Sequence, residues 1–477
     1  MNGSILIKRL AWLLLSGLTV PALAAESPLL LSHVAIIDGT GTPAQRDMTI
    51  AIDGGRIAAV YPDGRRPAPK GAQVMDLHGR YVIPGLIDAH VHLTGAEPDF
   101  AHYVPHLRAL LRGGVTAVRD MAGDDRLVGY LAGEANSDAL PAPDIYYVAL
   151  MAGPGFFAED VRAQEASAGE RLGFAPWMQA IGPGTDIPLA VAEAKGTGAT
   201  ALKLYANLSA NLVRQITAEA HRQGLRVWTH ATIFPASPAD AVDAGADTIS
   251  HSPYLVWAAV PKVPADYRVR AMGDFIHVRP DAPPILAVLK SMQQRGTILD
   301  ATLLPFEQEA RHDPGKVGAG IMPWSYAVTR LAHAQGVWVD AGSDSSGLPD
   351  ASHGPNLRAL PEVHAEMALL VEHAGFTPLE AIRAATEVGA AAMGQSARRG
   401  TIAVGKLADL VVLGADPTRD IRNTGSIVLV IKNGRIHRKD APRGLPRAPE
   451  EGVNQPAAGT AAYPSVAPGR TASLARS

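Results

Sequence analysis

The chain of 477 residues has no cysteine. Disulfides and thiolate metal ligands are therefore impossible, and the chain neither gains nor risks anything in an oxidising compartment. Aromatic residues make up only 5%, and the formal charge is −3 with a pI near 6.6. Nucleic-acid binding is a poor fit, because there is no basic field to draw in phosphates and there are few rings to stack on bases. Beyond the N-terminal segment no apolar run reaches the ~18 residues a membrane helix needs. What the chain does have is length and 47% apolar residues, enough for an enzyme-sized core and a smaller second unit.

At the start, Lys8 and Arg9 precede the apolar run Leu10 to Val20, and Ala22-Leu23-Ala24 follows. A charged start, a short apolar stretch and small residues at a cleavage site form the pattern of a secretory signal, so the expected location is secreted, in the periplasm. From about Ala441 to Ser477 the chain is rich in Pro, Ala, Gly and Ser without apolar periodicity, which reads as a disordered tail.

Between these ends, residues 29–77 hold short apolar runs broken by Gly, Pro and Asp, and ADLVVLG and SIVLVIKNGRIH repeat that pattern near the C-terminus. Both are read as strands with tight turns, so the two chain ends are expected to build one small β-sandwich beside a central domain. In the centre, eight β-type runs alternate with stretches of helical period. The runs end at His90, Asp120, Leu150, Tyr205, His230, His251, Leu303 and Asp344. Helices are expected at Asn211 to Gln223, Pro284 to Arg295, Tyr326 to Gln335, Leu357 to His373 and Pro378 to Met393. Eight such units over roughly 310 residues fit an α/β fold, a (β/α)8 TIM barrel. An open doubly wound sheet is the alternative, but no glycine-rich dinucleotide turn follows the first strand. The expected order is residues 1–25 signal peptide, 26–82 first part of the sandwich, 83–396 barrel, 397–440 second part, and 441–477 tail.

A barrel of this kind carries its chemistry at the C-terminal ends of its strands. Those ends hold His90, His92, Lys203, His230, His251 and Asp344. With 16 histidines, an H-x-H triplet arises by chance about half a time, so position is what gives it weight. Residues i and i+2 of a strand point the same way, so His90 and His92 can grip one ion together. Taken singly, His230 or His251 would pass for a core histidine, and Asp344 for a turn or helix-cap residue. Together they form a polar cluster that only a cation would satisfy. A lysine inside an apolar strand, such as Lys203, is costly unless its charge is removed or paired.

GLIDAHVHL, ALKLY, the strand-end His230 and His251, the Asp344 loop, FTPLEAIRAAT and GTIAVGKLADLVVLGADP together resemble the amidohydrolase superfamily. The likeness is greatest to its imidazolonepropionase-like and prolidase-like members and covers most of residues 30 to 440. It implies a metal-dependent hydrolase cleaving a non-cyclic amide of a small N-acyl amino acid or dipeptide-like substrate. It further implies a site of one or two divalent metals; in the two-metal form, expected here as two Zn2+ per chain with other divalent metals as alternatives, one is held by His90, His92 and Asp344 and the other by His230 and His251, with a carbamylated Lys203 bridging them. Asp344, Lys203 and His251 would then be catalytic, with Asp344 carrying the proton to the leaving amine. The sequence departs from the usual pattern at His251-Ser252-Pro253-Tyr254 and in the loop SDSSG, both of which border the substrate.

Candidate substrate contacts are Arg119, Tyr205, Tyr254 and His277; Arg119 also has Asp120 as a simpler partner. The expected partner is a small molecule, with no nucleic acid and no membrane, in a homo-oligomer. Two other readings stay open. One is a mononuclear cyclic-amide or imine hydrolase, or a deaminase, with Lys203 unmodified; the other is a metal-binding protein without catalysis.

Overall fold

The computed structural model describes residues 27–95, 99–345 and 359–438. The expected signal peptide and tail lie outside the described residues, as do Leu357 and the end of the SDSSG loop.

The eight barrel strands are Leu86–Val91, Val115–Asp120, Asp144–Ala152, Ala201–Leu204, Arg226–His230, Thr248–Ser250, Ile298–Asp300 and Val339–Asp340. They pair in parallel in that order. The ring closes between the last and the first: Ala89 N donates to Ala341 O at 3.0 Å and Asp344 N to His90 O at 2.8 Å. Nearly every residue of these strands is buried, as befits parallel strands covered by helices outside and packed within. An open doubly wound sheet is excluded by the closure.

The first expected strand, ending at His90, is two strands. Tyr81–Pro84 belongs to the other sheet and Leu86–Val91 to the barrel. Gly85 joins them, and a side chain there would put its Cβ 2.1 Å from the Thr116 hydroxyl. The seventh run stops at Asp300 rather than Leu303. Thr302 turns into the left-handed region (φ 45°) and a helix unseen in the sequence, Leu303–His312, begins. A short apolar run does not tell strand from buried helix, which is why TILDATL misleads there.

Two further helices match to within a residue, Ala210–Arg222 and Pro283–Arg295, whereas Ile321–Ala334 begins five residues before the expected Tyr326 and Val363–His373 six after the expected Leu357. The expected helix from Pro378 to Met393 is Pro378–Arg383 and Gly389–Ala392 joined by a π turn at Ala384–Val388. Its start is set locally. Thr377 accepts from Glu380 N, the Glu380 carboxylate reaches back to Thr377 N at 2.8 Å, and Pro378 fills the first turn, where its missing N–H costs nothing.

Both chain ends build one mixed sheet of eight strands. Its core strands are buried on both faces, and strand alternation divides the labour. Val82, Leu410, Val412, Leu429 and Ile431 fill the sheet's own core, while Ile83, Val411, Leu413 and Val430 join the barrel's. A one-residue slip would exchange the two sets, so register is strongly specified.

Candidate metal centre and active-site cavity

At the C-terminal mouth, the histidines and Lys203 sit at or next to the ends of their strands, whereas the eighth strand stops at Asp340 and Asp344 follows on the turn four residues beyond, not at the strand end expected. The backbone there is strained: His251 (φ 75°), Thr302 (φ 45°), Asp344 (φ 52°) and Ala122 (φ 138°) all have positive φ. Such conformations cost on the order of 1–3 kcal/mol each and concentrate where function demands a particular aim. Gly342 belongs to the same turn as Asp344. A Cβ there would lie 2.4 Å from Asp300 Oδ1 and 2.6 Å from His90 Cβ, so only glycine lets the eighth strand approach the first.

His90, His92 and Asp344 offer ligand atoms within 4.8 Å of one another. His90 Nε2 is 3.1 Å and His92 Nε2 3.3 Å from Asp344 Oδ1, and His251 Nδ1 is 3.6 Å from Asp344 Oδ2. Each imidazole is held from behind. His90 Nδ1 is 2.6 Å from Asp300 Oδ2, His92 Nδ1 3.2 Å from Ala122 O, and His251 Nδ1 2.8 Å from the Thr302 hydroxyl. If His90 and His92 donate through Nδ1 to these oxygens, a neutral ring presents a lone pair at Nε2, facing a carboxylate that is itself an acceptor. A cation between them resolves that conflict. Separations of 3.1–3.3 Å match the edge of a coordination shell with bonds of about 2.0–2.2 Å.

The His230 ring lies 4.5 Å from that of His251 and 4.1 Å from that of Tyr205, centroid to centroid. Lys203 lines the same cavity as these histidines; it is 1% exposed, and its Nζ has no hydrogen-bond partner and, among the described residues, no carboxylate within 4.0 Å. A buried, unpartnered ammonium is costly, so the site has room and need for a further group at that atom. The donor set thus fits a divalent metal centre.

Electrostatics agree. Burial pulls Lys203 down to about 7, with Arg119 adding to the effect against Asp300 and Asp344. Burial also holds His230 and His251 well below the usual histidine range, leaving them neutral and able to ligate. For Asp344, burial favours the acid, but His90 and His251 outweigh it and keep the carboxylate ionised. Burial likewise opposes charge on His92, yet Asp344 raises it overall, so metal and proton compete for that ring.

The cluster opens into a cavity of about 370 Å³. Of the four candidate substrate contacts, Tyr205 and Tyr254 line it and Arg119 and His277 do not. Arg119 is fully buried inside the barrel below the site, where Nη2 bonds Asp300 at 2.8 Å and the guanidinium stacks 4.7 Å from the Trp228 ring. Its expected partner Asp120 instead accepts from Leu93 N at 2.7 Å. His277 is 81% exposed and paired with Asp274 away from the cavity. Sequence reasoning missed Arg162 and Arg270, which line the cavity, and Asp300, which orients His90. Asp300 had a signal, a carboxylate in the apolar run TILDATL like the lysine in ALKLY; the arginines, Arg162 on the short helix Val161–Ala166 and Arg270 in the long connection after the sixth strand, had none.

The amidohydrolase family model matches residues 81–437. The chain belongs to the amidohydrolase family. It is 26% identical over 435 residues to an imidazolonepropionase of Symbiobacterium thermophilum, covering 85% of this chain and 92% of that one. A prolidase-like protein from Bifidobacterium longum superposes with a TM-score of 0.66 at 27% identity, over 88% of this chain and 97% of its own. A Xaa-Pro dipeptidase with methionine in its active site shares the fold (TM-score 0.68, 22% identity, 87% of this chain and 100% of the other). The chain is accordingly an enzyme, a hydrolase of C–N bonds, from a typically metal-dependent family.

Proposed function

We propose that this enzyme hydrolyses the amide of a small N-acyl amino acid or dipeptide-like substrate, using two Zn2+ ions and a carbamylated Lys203. His90, His92 and Asp344 would hold one ion, His230 and His251 the other, with Lys203 between. The observation that carries the reading is that these donors and Lys203 Nζ, buried and without a partner among the described residues, line one cavity sized for a small molecule, with His90, His92 and Asp344 within 4.8 Å of one another. With Lys203 near 7, much of it is free amine at neutral pH, the form that adds CO2. Addition would turn an ammonium that repels cations into an anion with two oxygens.

When bound, the ions supply Lewis-acid polarisation of the scissile carbonyl and make water a stronger nucleophile. The protein's residues do the rest. Asp344, ionised and touching three imidazoles, accepts a proton from the attacking water at its carboxylate and passes it to the leaving nitrogen. Asp300, Thr302 and the Ala122 carbonyl fix the imidazoles, so no reorientation is needed during the reaction. Tyr205 and Tyr254 border the substrate.

A mononuclear cyclic-amide hydrolase is the second reading, favoured by the imidazolonepropionase relative. Metal content separates the two. The two-ion reading expects Lys203→Ala to lose at least one metal by elemental analysis, with partial rescue by short carboxylic acids; two metals retained without rescue would overturn it. A mass-spectrometric product screen of acyl-amino acids and dipeptides tests the substrate class. We further propose export to the periplasm, which requires an N-terminus trimmed after Ala25 in protein recovered from cells.

A further inference from the structure

Two guanidiniums line the cavity, and they differ in one respect. Arg162 is neutralised by Asp160, 2.6 Å away, and also donates to the Tyr205 hydroxyl at 3.0 Å. Arg270 has no carboxylate within 4.0 Å among the described residues. It comes from the long segment after the sixth barrel strand, where the sequence departs from the usual family pattern at Ser252-Pro253-Tyr254. Partly buried, its guanidinium lies beside the Tyr254 hydroxyl and 5.7 Å from the centre of the Tyr267 ring.

This arginine is held in place rather than left to wander. Its carbonyl accepts from Trp257 Nε1 at 2.9 Å, and the neighbouring Tyr267 hydroxyl reaches Asp160 at 3.3 Å. Arg268 adds an ion pair to Glu159 at 3.4 Å, so the segment is tied to the loop after the third strand. Tyr254 is buried, with its ring 5.0 Å from that of His251, which places Arg270 on the His230/His251 side of the centre. Elsewhere the lining is mostly apolar, with Met121, Leu150, Phe156 and Met178, and the polar Thr94 and Glu165 complete it. A planar guanidinium with spare donors, partly desolvated and without an anion, is built to take a carboxylate in a paired geometry.

We propose that Arg270, with Tyr254, reads a free carboxylate on the amine side of the scissile amide, so that the enzyme selects acyl-amino acids and dipeptides with a free C-terminus. The inference rests on the amide-hydrolase reading of the same cavity and narrows it. A substrate would lay its carboxylate on Arg270 and its side chains on the apolar wall, with its amide over the metal ligands. Arg162 keeps Tyr205 in place and contributes little net charge, because Asp160 already cancels it.

The test uses the metal-loaded full chain and a panel of N-acetyl-amino acids and dipeptides, each paired with its C-terminal carboxamide. Wild type should prefer the acids by about 10²-fold or more in kcat/KM, the usual scale for leaving one partner of a charge pair unmatched. Arg270→Met should raise KM for the acids about 10²-fold with kcat within about threefold, change the carboxamides far less and so collapse the preference. Arg270→Lys should keep part of it, which guards against a variant that merely fails to fold. An acid-to-carboxamide ratio unchanged in both variants would overturn the inference while leaving amide hydrolysis standing. A wild type silent on both halves of the panel at full metal occupancy would overturn the hydrolase reading, and the inference with it.

Discussion

The barrel buries charge at both of its ends, and the two ends treat it differently. At the N-terminal base, Lys432 lies 2.6 Å from Asp144 and 2.9 Å from Asp138, and Arg399 pairs with Asp144 and, at 3.6 Å, Asp409. Every cation there has its anion. At the mouth, among the described residues, Lys203 has none, Arg270 has none, and two imidazoles face a carboxylate across the gap a cation would fill. Buried charge that is matched joins the sheet to the barrel, whereas buried charge left unmatched marks the place where another molecule completes the set.

Breaking this contrast should give effects of different kinds. The largest belongs to Asp344→Asn, which removes the proton carrier while keeping its shape. Turnover should fall about 10²–10⁴-fold with metal still bound, and near wild-type rates would contradict the role. At the base, Lys432→Met leaves Asp144 and Asp138 short of a cation and should cost about 3–5 kcal/mol in denaturant unfolding. Metal content and kcat of the folded fraction should not change; if they do, the base is not a purely structural joint. Asp300→Asn loosens the brace behind His90, so metal affinity measured by chelator competition should drop about 10–100-fold. An unchanged affinity would deny Asp300 that function.

The last effect is one of pH. In metal-free, CO2-free buffer the folded Lys203 loses its proton near 7, whereas an unfolded lysine keeps it to about 10.5. Between those values the unfolded chain binds more protons, so the stability set by this residue rises with pH from about 7 to about 10.5. Wild type should therefore gain on Lys203→Met across that window in paired unfolding curves; a constant difference would show that Lys203 is not desolvated as described.

The sequence revealed most of the frame because strand ends and chemistry coincide in it. His90, His230 and Lys203 are polar residues interrupting apolar runs, and that contrast survives without any structure. The same logic extended to Asp300 and Lys432 would have found the brace and the basal joint. Arg119 misled because strand position alone does not say at which depth of the barrel a side chain lies; it is in the layer below the cavity. His277 misled because a long connection gives no period from which to infer direction, and Arg162 and Arg270 were invisible for that same reason. The last turn of TILDATL was lost to Thr302, whose left-handed backbone no propensity announces.

The most direct test of the account is a crystal structure of the metal-loaded protein measured at the zinc absorption edge. The account predicts two anomalous peaks, one bounded by His90, His92 and Asp344 and one by His230 and His251, with electron density continuing past the Lys203 amine to bridge them. No peak among these residues, with Lys203 ending at a bare amine, would contradict it.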